Sequence, residues 1–193
     1  MLNIIIFGTP GAGKGTQSQL IIEKYGLHHI STGDILRQEI EKQSELGAMA
    51  AKYIHQGLLV PDAVILDMLA KEIDQNTSQK GYIFDGFPRN LEQAQALDNL
   101  LKGKELAVTA TLNLSMEEAE IVKRLLKRGK ESGRADDNLE TIQKRITVYK
   151  EQTEPLIDFY KKQGKLFSIN GSYPIEEVFE SVSEIIDRLM NQT

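Results

Sequence analysis

The chain has no cysteine. Disulfides and thiolate-bound zinc are thereby excluded, and a reducing cytoplasm is the expected compartment. Long hydrophobic runs are missing as well, so no membrane span is expected. Met1 leads straight into an apolar strand, without a basic flank or a cleavage pattern, so no signal peptide is expected. Positive charge is in deficit: 23 Lys and Arg stand against 28 Asp and Glu, a net charge of −5. That balance argues against general nucleic-acid binding. Histidine is scarce, and His28, His29 and His55 read as ordinary strand-end or helix residues without a role. No Ser-His-Asp grouping is found. What remains is a 193-residue chain with 26% charged residues, one globular domain with room for a sizeable core.

The most informative segment present is Gly8-Thr9-Pro10-Gly11-Ala12-Gly13-Lys14-Gly15-Thr16. It follows the apolar run Leu2 to Phe7 and precedes a helical pattern from Gln17 to Tyr25. Strand, glycine loop and helix start together make a phosphate-binding P-loop. Glycines let successive backbone N–H groups turn inward, and the helix N-terminus adds partial positive charge. Lys14 can reach the outer phosphates of a nucleoside triphosphate. The general pattern places Ser or Thr directly after the lysine; here Gly15 stands there and Thr16 follows. A connecting glycine turn is the plainer reading, but it has no use for a lysine flanked by glycines at a helix mouth.

Strands are expected at 2–7, 28–30, 81–85, 107–113 and 165–170, alternating with helices at 14–25, 33–42, 45–56, 61–74, 90–101, 115–128, 137–162 and 174–190. The alternation is that of a parallel α/β sheet. Pro61 and Asp62 mark a helix start, and Pro155 breaks or kinks the long helix. Ile175, Val178, Phe179, Val182, Ile185, Ile186 and Leu189 form one apolar stripe, read as core alone. Two insertions interrupt the alternation: residues 31–60, and a basic segment with a glycine turn from Gly129 to Gly133. In that segment Lys123, Arg124, Lys127, Arg128, Lys130 and Arg134 meet one acid, Glu131. A charge run is usually a solvated helix face; the functional alternative is a clamp for a small polyanion.

A second motif is Tyr82-Ile83-Phe84-Asp85-Gly86-Phe87-Pro88-Arg89. Asp before Gly is a common turn, but an acid ending an apolar strand beside a P-loop is placed to hold Mg²⁺, directly or through water. A third is Ser31-Thr32-Gly33-Asp34-Ile35-Leu36-Arg37, where Ser31 or Thr32 caps a helix and Arg37 is free to face the site. Asp136 and Asp137 fit an N-cap pair or a role in closing a lid. Arg37, Arg89, Arg124, Arg128, Arg134 and Arg145 exceed what one triphosphate needs. Arginine grips phosphate through paired hydrogen bonds and stays charged. Such a set suits a reaction that joins two anionic substrates by positioning and electrostatics.

The motifs GTPGAGKGTQ, STGDILR, GLLVPD, FDGFPRNLEQ, KRLLKRG, SGRADDN and the arginine of QKR occur in order along nearly the whole chain. In these the chain resembles the nucleoside monophosphate kinases, most closely the adenylate kinases. The resemblance implies a three-layer P-loop NTPase fold with a parallel five-stranded sheet, a helical acceptor-binding insertion at 31–60 and a short lid at about 128–138, all within one domain. It implies reversible, Mg²⁺-dependent transfer of the terminal phosphoryl group of ATP to AMP, giving two ADP. By the same resemblance Gly11, Ala12, Gly13, Lys14, Gly15 and Thr16 hold the ATP phosphates, and Arg124 and Arg128 face ATP. Thr32, Arg37, Leu58, Leu59, Val60, Gly86, Phe87, Pro88, Arg89 and Gln93 form the AMP pocket. Arg134 and Arg145 bridge both substrates, and Lys14, Arg89, Arg128, Arg134 and Arg145 carry catalysis. Asp85 orients Mg²⁺ through water. The short lid implies no structural zinc, and a cytoplasmic monomer is expected. Closure of lid segments is a behaviour for which adenylate kinases are a standing example.

The related uridylate-cytidylate kinases typically carry alanine and asparagine where this chain has Thr32 and Gln93. A glutamine amide can both donate to and accept from the adenine edge, and an amide facing the wrong base costs about 1–3 kcal/mol. AMP is therefore the favoured acceptor. A pyrimidine nucleotide acceptor (UMP or CMP), or an ATP-binding sensor that transfers nothing, stays open here. Near Tyr173 the family usually shows glycine, and that position is not carried over.

Overall fold

Ile4, Ile5, Ile6 and Phe7 are all buried, because the strand they form is covered on both faces. A computed structural model describes residues 1–76 and 80–191. Its strands are β1 (Leu2–Gly8), β2 (His28–Ser31), β3 (Gly81–Asp85), β4 (Ala110–Ser115) and β5 (Leu166–Asn170). They form one parallel sheet in the order β2-β3-β1-β4-β5. The helices are α1 (Lys14–Tyr25), α2 (Thr32–Glu41), α3 (Glu45–Ile54), α4 (Asp62–Gln75), α5 (Leu91–Lys102), α6 (Glu118–Ser132), α7 (Leu139–Val148), α8 (Leu156–Lys162) and α9 (Ile175–Met190).

Side-chain alternation divides the core in two. Ile5, Phe7, Ile30, Tyr82 and Phe84 pack with α2, α3, α4, α5 and α8. Ile4, Ile6, Ile83, Leu112, Leu114 and Ile169 pack with α1, α6, α7 and α9. The result is the three-layer α/β architecture with five parallel strands expected from the sequence. Register decides what meets at the carboxyl edge. Ile6 pairs with Asp85, Ser31 pairs with Asp85, and Gly8 pairs with Leu114. The P-loop, Asp85 and the start of α2 therefore leave the sheet side by side, where ligands of open α/β sheets bind.

Several elements depart from the sequence reading. The helix expected over 137–162 is two helices, α7 and α8, joined by a π-helical turn at Tyr149–Thr153. Glu154 N–H reaches back to the Tyr149 carbonyl at 2.8 Å, and Pro155 precedes α8, so the break falls at the expected proline. The expected turn from Gly129 to Gly133 is helical up to Ser132 and ends only at Gly133, whose φ is 66°. Asp136 and Asp137 are not an N-cap pair: Asn138 caps α7 by accepting from Thr141 N–H. Strand β4 starts at Ala110 rather than 107, since Thr109 N–H and the Ala107 carbonyl bond Asn3. Ile175 is not core; it is 51% exposed on the rim of the cleft, while Val178, Val182 and Ile186 are buried.

Helices α2 and α3 are held against each other at Gly47, where an added Cβ would fall 2.1 Å from the Glu39 carbonyl oxygen. Overpacking of this kind costs roughly 1–3 kcal/mol. Gly47→Ala is expected to lower stability by about 2 kcal/mol in urea denaturation; no measurable loss would show that the helix pair yields freely.

Candidate active site

Between β1 and α1 the chain turns through Gly11 and Gly13 with φ of 80° and 89°, a region strained for any residue with a side chain. Gly13 stands at the N-cap of α1 and offers no side-chain cap. The first amides of a helix have no intrahelical acceptor, so here they remain for a ligand. Lys14 Nζ donates to the Gly8 and Thr9 carbonyls, each at 3.0 Å, which leaves one N–H for the cleft. Gly11 to Thr16 all line that cleft.

Asp85 ends β3 at the cleft floor. Its Oδ2 accepts from Ser18 Oγ at 3.2 Å and lies 3.5 Å from His29 Nε2. His29, given no role from sequence, stands beside Asp85 because β2 runs parallel to β3, with Ser31 opposite Asp85. No group of three His, Asp or Glu able to hold a metal occurs among the described residues. Mg²⁺ needs no such group, since it is commonly held by one carboxylate, phosphates and water. The lone acid Asp85 beside a phosphate loop fits that donor set.

Six arginines face the same space, each held by a different part of the fold. Arg37 pairs with Asp34 one turn back on α2, and Arg134 lies 4.0 Å from the same carboxylate. Arg89 Nε donates to the Gly86 carbonyl at 2.7 Å. The Arg89 carbonyl in turn accepts from Thr153 Oγ1 at 2.7 Å, a contact made by the π-helical turn. Arg124 spans Glu120 (3.1 Å) and the Gly171 carbonyl (3.2 Å). Arg128 binds buried Asp137 through Nε and Nη2 at 2.6 and 2.8 Å. Arg145 reaches Asp137 at 2.8 Å and Asp136 at 2.9 Å. Gly129 permits this arrangement: a Cβ there would sit 2.8 Å from the Asp137 carbonyl oxygen.

The cleft has a volume of about 540 Å³, and a narrower arm of about 80 Å³ adjoins it. Asp85, Pro88, Arg124, Arg128 and Arg134 line the main cleft. Thr32, Leu58, Val60, Phe87 and Gln93 line the arm. Arg37, Leu59, Gly86, Arg89 and Arg145 line both. Every site residue singled out from sequence therefore comes to this cleft. In the arm, Thr32 Oγ1 donates to the Gly86 carbonyl at 3.2 Å. Gln93 is buried, with Oε1 accepting from Arg89 N–H at 2.7 Å and Nε2 donating to Asp62 at 2.6 Å. Sequence reasoning took Asp62 as a helix start only and did not find Tyr149 and Thr153; a helical pattern running into Pro155 is the signal that marks the π-helical turn.

Burial lowers the Lys14 pKa to about 7; Arg89, Arg145 and Arg128 add to the effect and Asp85 opposes it. A bound polyphosphate favours the charged form and raises that pKa. Between the two values binding takes up a proton; below about 7 the lysine is already charged. At pH 8, calorimetry of tripolyphosphate or ATP binding in buffers of different ionisation enthalpy should show uptake of close to one proton, absent in Lys14→Met. Equal uptake by both proteins would sink this assignment.

The family model described as adenylate kinase matches residues 6–165. An adenylate kinase of Azobacteroides pseudotrichonymphae is 56% identical over 189 residues, covering 98% of this chain and 99% of the relative. Those of Parabacteroides distasonis and Bacteroides fragilis are 54% and 53% identical, covering 98% of this chain and 100% of each relative. With one P-loop, one strand-end acid and six convergent arginines set on a matching scaffold, the chain belongs to the adenylate kinase family.

Proposed function

We propose that the chain transfers the terminal phosphoryl group of ATP to AMP, reversibly and with Mg²⁺, giving two ADP. The observation that carries this reading is the two-armed cleft: a P-loop on one side, a narrower arm on the other, and arginines from α2, α6, α7 and the loops between them. A protein that only sensed ATP has no need of the second arm.

In this reading Gly11 to Thr16 cradle the ATP phosphates, and Lys14 follows the transferred group. Arg124 and Arg128 face ATP. Arg37 and Arg89 grip the AMP phosphate, beside Gly86, Phe87 and Pro88. Arg134 and Arg145 lie across the transfer point. Thr32, Leu58, Leu59, Val60 and Gln93 enclose the acceptor base. Asp85 holds Mg²⁺, which offsets charge on the ATP phosphates when bound. Residues 31–60 act as the acceptor-binding insertion and 128–138 as the short lid. The Asp34–Arg134 approach joins these two segments, and the bond from Thr141 Oγ1 to the His55 carbonyl ties the insertion to α7. Their closure excludes water, the competing acceptor. Both arms come from one chain, in keeping with a monomer. ATP and AMP are cytoplasmic solutes, and no helix among the described residues is long and apolar enough to cross a membrane.

A coupled assay for ADP with ATP-Mg²⁺ and AMP, UMP, CMP or GMP is expected to show rapid formation with AMP alone. Preference for UMP or CMP would overturn the acceptor assignment, and no transfer at all would overturn the reading.

Arg134→Ala and Arg128→Ala should separate catalysis from stability. Among the described residues Arg134 forms one ion pair, a long one to Asp34 at 4.0 Å, so its loss should change stability by less than about 0.5 kcal/mol and turnover by about 100-fold or more. Arg128→Ala strips buried Asp137 of a two-point partner and should cost about 2 kcal/mol as well. Urea melts and steady-state rates decide; near-normal turnover in Arg134→Ala would remove it from the transfer point.

A further inference from the structure

We propose that Asp62 fixes the orientation of the Gln93 amide, and through it the preference for a 6-aminopurine acceptor over a 6-oxopurine. The inference rests on the reading of Gln93 as the residue facing the acceptor base. Gln93 is 2% exposed and lines the narrow arm of the cleft. Its Nε2 donates to Asp62 Oδ1 at 2.6 Å, and its Oε1 accepts from the Arg89 N–H at 2.7 Å.

Each partner can play only one part. An ionised carboxylate only accepts, and a backbone N–H only donates. Reversing the amide would set oxygen against carboxylate oxygen and N–H against N–H, with two buried polar groups unpaired. The bond to a carboxylate is charge-assisted and is the stronger of the two constraints. Asp62 is itself held: Asn90 Nδ2 lies 3.4 Å from both of its oxygens, while Asn90 Oδ1 caps α5 by accepting from Gln93 N–H at 2.7 Å.

An amide has two N–H donors and two acceptor lone pairs. With one of each spent, Gln93 keeps one N–H and one lone pair, in an order it cannot exchange. Adenine offers N1 as acceptor beside a 6-amino donor, which matches one order. A 6-oxopurine offers N1–H as donor beside an oxygen acceptor, which matches the reversed order. Asp62 lines neither arm of the cleft; it is a positioning residue that acts through Gln93.

Asp62→Asn tests this without removing the contact, because an amide can pair with Gln93 either way round. The measurement is kcat/KM for AMP and for IMP as acceptors, with thermal melting, for wild type, Asp62→Asn and Gln93→Ala. Expected is a fall of about tenfold in the AMP-to-IMP ratio for Asp62→Asn, chiefly through KM, with kcat on AMP and the melting temperature near those of wild type. An unchanged ratio in Asp62→Asn alongside an altered ratio in Gln93→Ala would overturn the role of Asp62 and leave Gln93 as the base reader. An unchanged ratio in both would overturn the reading of Gln93 as well. Equal losses on AMP and IMP with a lowered melting temperature would reduce Asp62 to a packing role.

Discussion

The buried carboxylate of Asp137 receives Arg128 from α6 and Arg145 from α7, and the shape of the cleft depends on that convergence. Lys14 and six arginines cannot share one space without repelling each other. Asp137 offsets the repulsion between Arg128 and Arg145, its side chain wholly buried while the two guanidinium groups stay partly open. Burial works against its charged form, but the hydrogen bond and charge of Arg128, with those of Arg145, outweigh it and hold its carboxyl below the usual range. A depressed carboxylate stabilises the fold above its unfolded pKa, and that contribution fades as pH falls through the folded value. That contribution is present in full at neutral pH, where phosphates carry most of their charge.

The other arginines follow the same rule with weaker partners. Arg37 and Arg134 approach Asp34, which is half exposed, Arg124 spans partly exposed Glu120 and the Gly171 carbonyl, and Arg89 leans on the Gly86 carbonyl. A carbonyl supplies only a partial charge, so Arg89 stays short of full compensation. An arriving phosphate supplies the missing charge without first breaking a strong pair. The arginines bound to Asp137 are oriented before the ligand comes, and the rest are held by carbonyls or by partly exposed carboxylates. Pre-set geometry and unspent charge are both what phosphoryl transfer demands of a protein.

Local chemistry made the P-loop legible in sequence, because its glycines, lysine and helix start are contiguous and each has a backbone reason to be there. Helix α1 and strand β3 fall at the expected residues for the same reason: abrupt changes of pattern bound them. The π-helical turn was not legible, because Tyr149 to Thr153 carry a helical pattern and only the hydrogen bonding changes. The true cap of α7 was hidden by two adjacent aspartates with better apparent claims. Asp136 and Asp137 lost the cap to Asn138 because the arginines drew both carboxylates inward. His29 and Asp62 were missed for a common reason: their partners, Asp85 and Gln93, lie 56 and 31 residues away in sequence, a proximity that only the sheet order and the packing of α4 on α5 create.

Those distant pairings bear on how the two arms can differ in stringency. The P-loop holds its ligand mainly through backbone N–H groups and Lys14, which grip phosphates and ignore what is attached to them. In the narrow arm, buried Thr32 and Gln93 already spend part of their hydrogen-bonding capacity within the protein. Each such bond removes an orientation that a ligand could otherwise select. In the proposed reading, discrimination belongs to Thr32 and Gln93 in the arm, where a mismatched base leaves buried polar groups unpaired, while binding strength comes from the cations, of which Arg37, Arg89 and Arg145 line both spaces. Separating the two functions lets the arginines act on charge alone, without being compromised by the need to read a base.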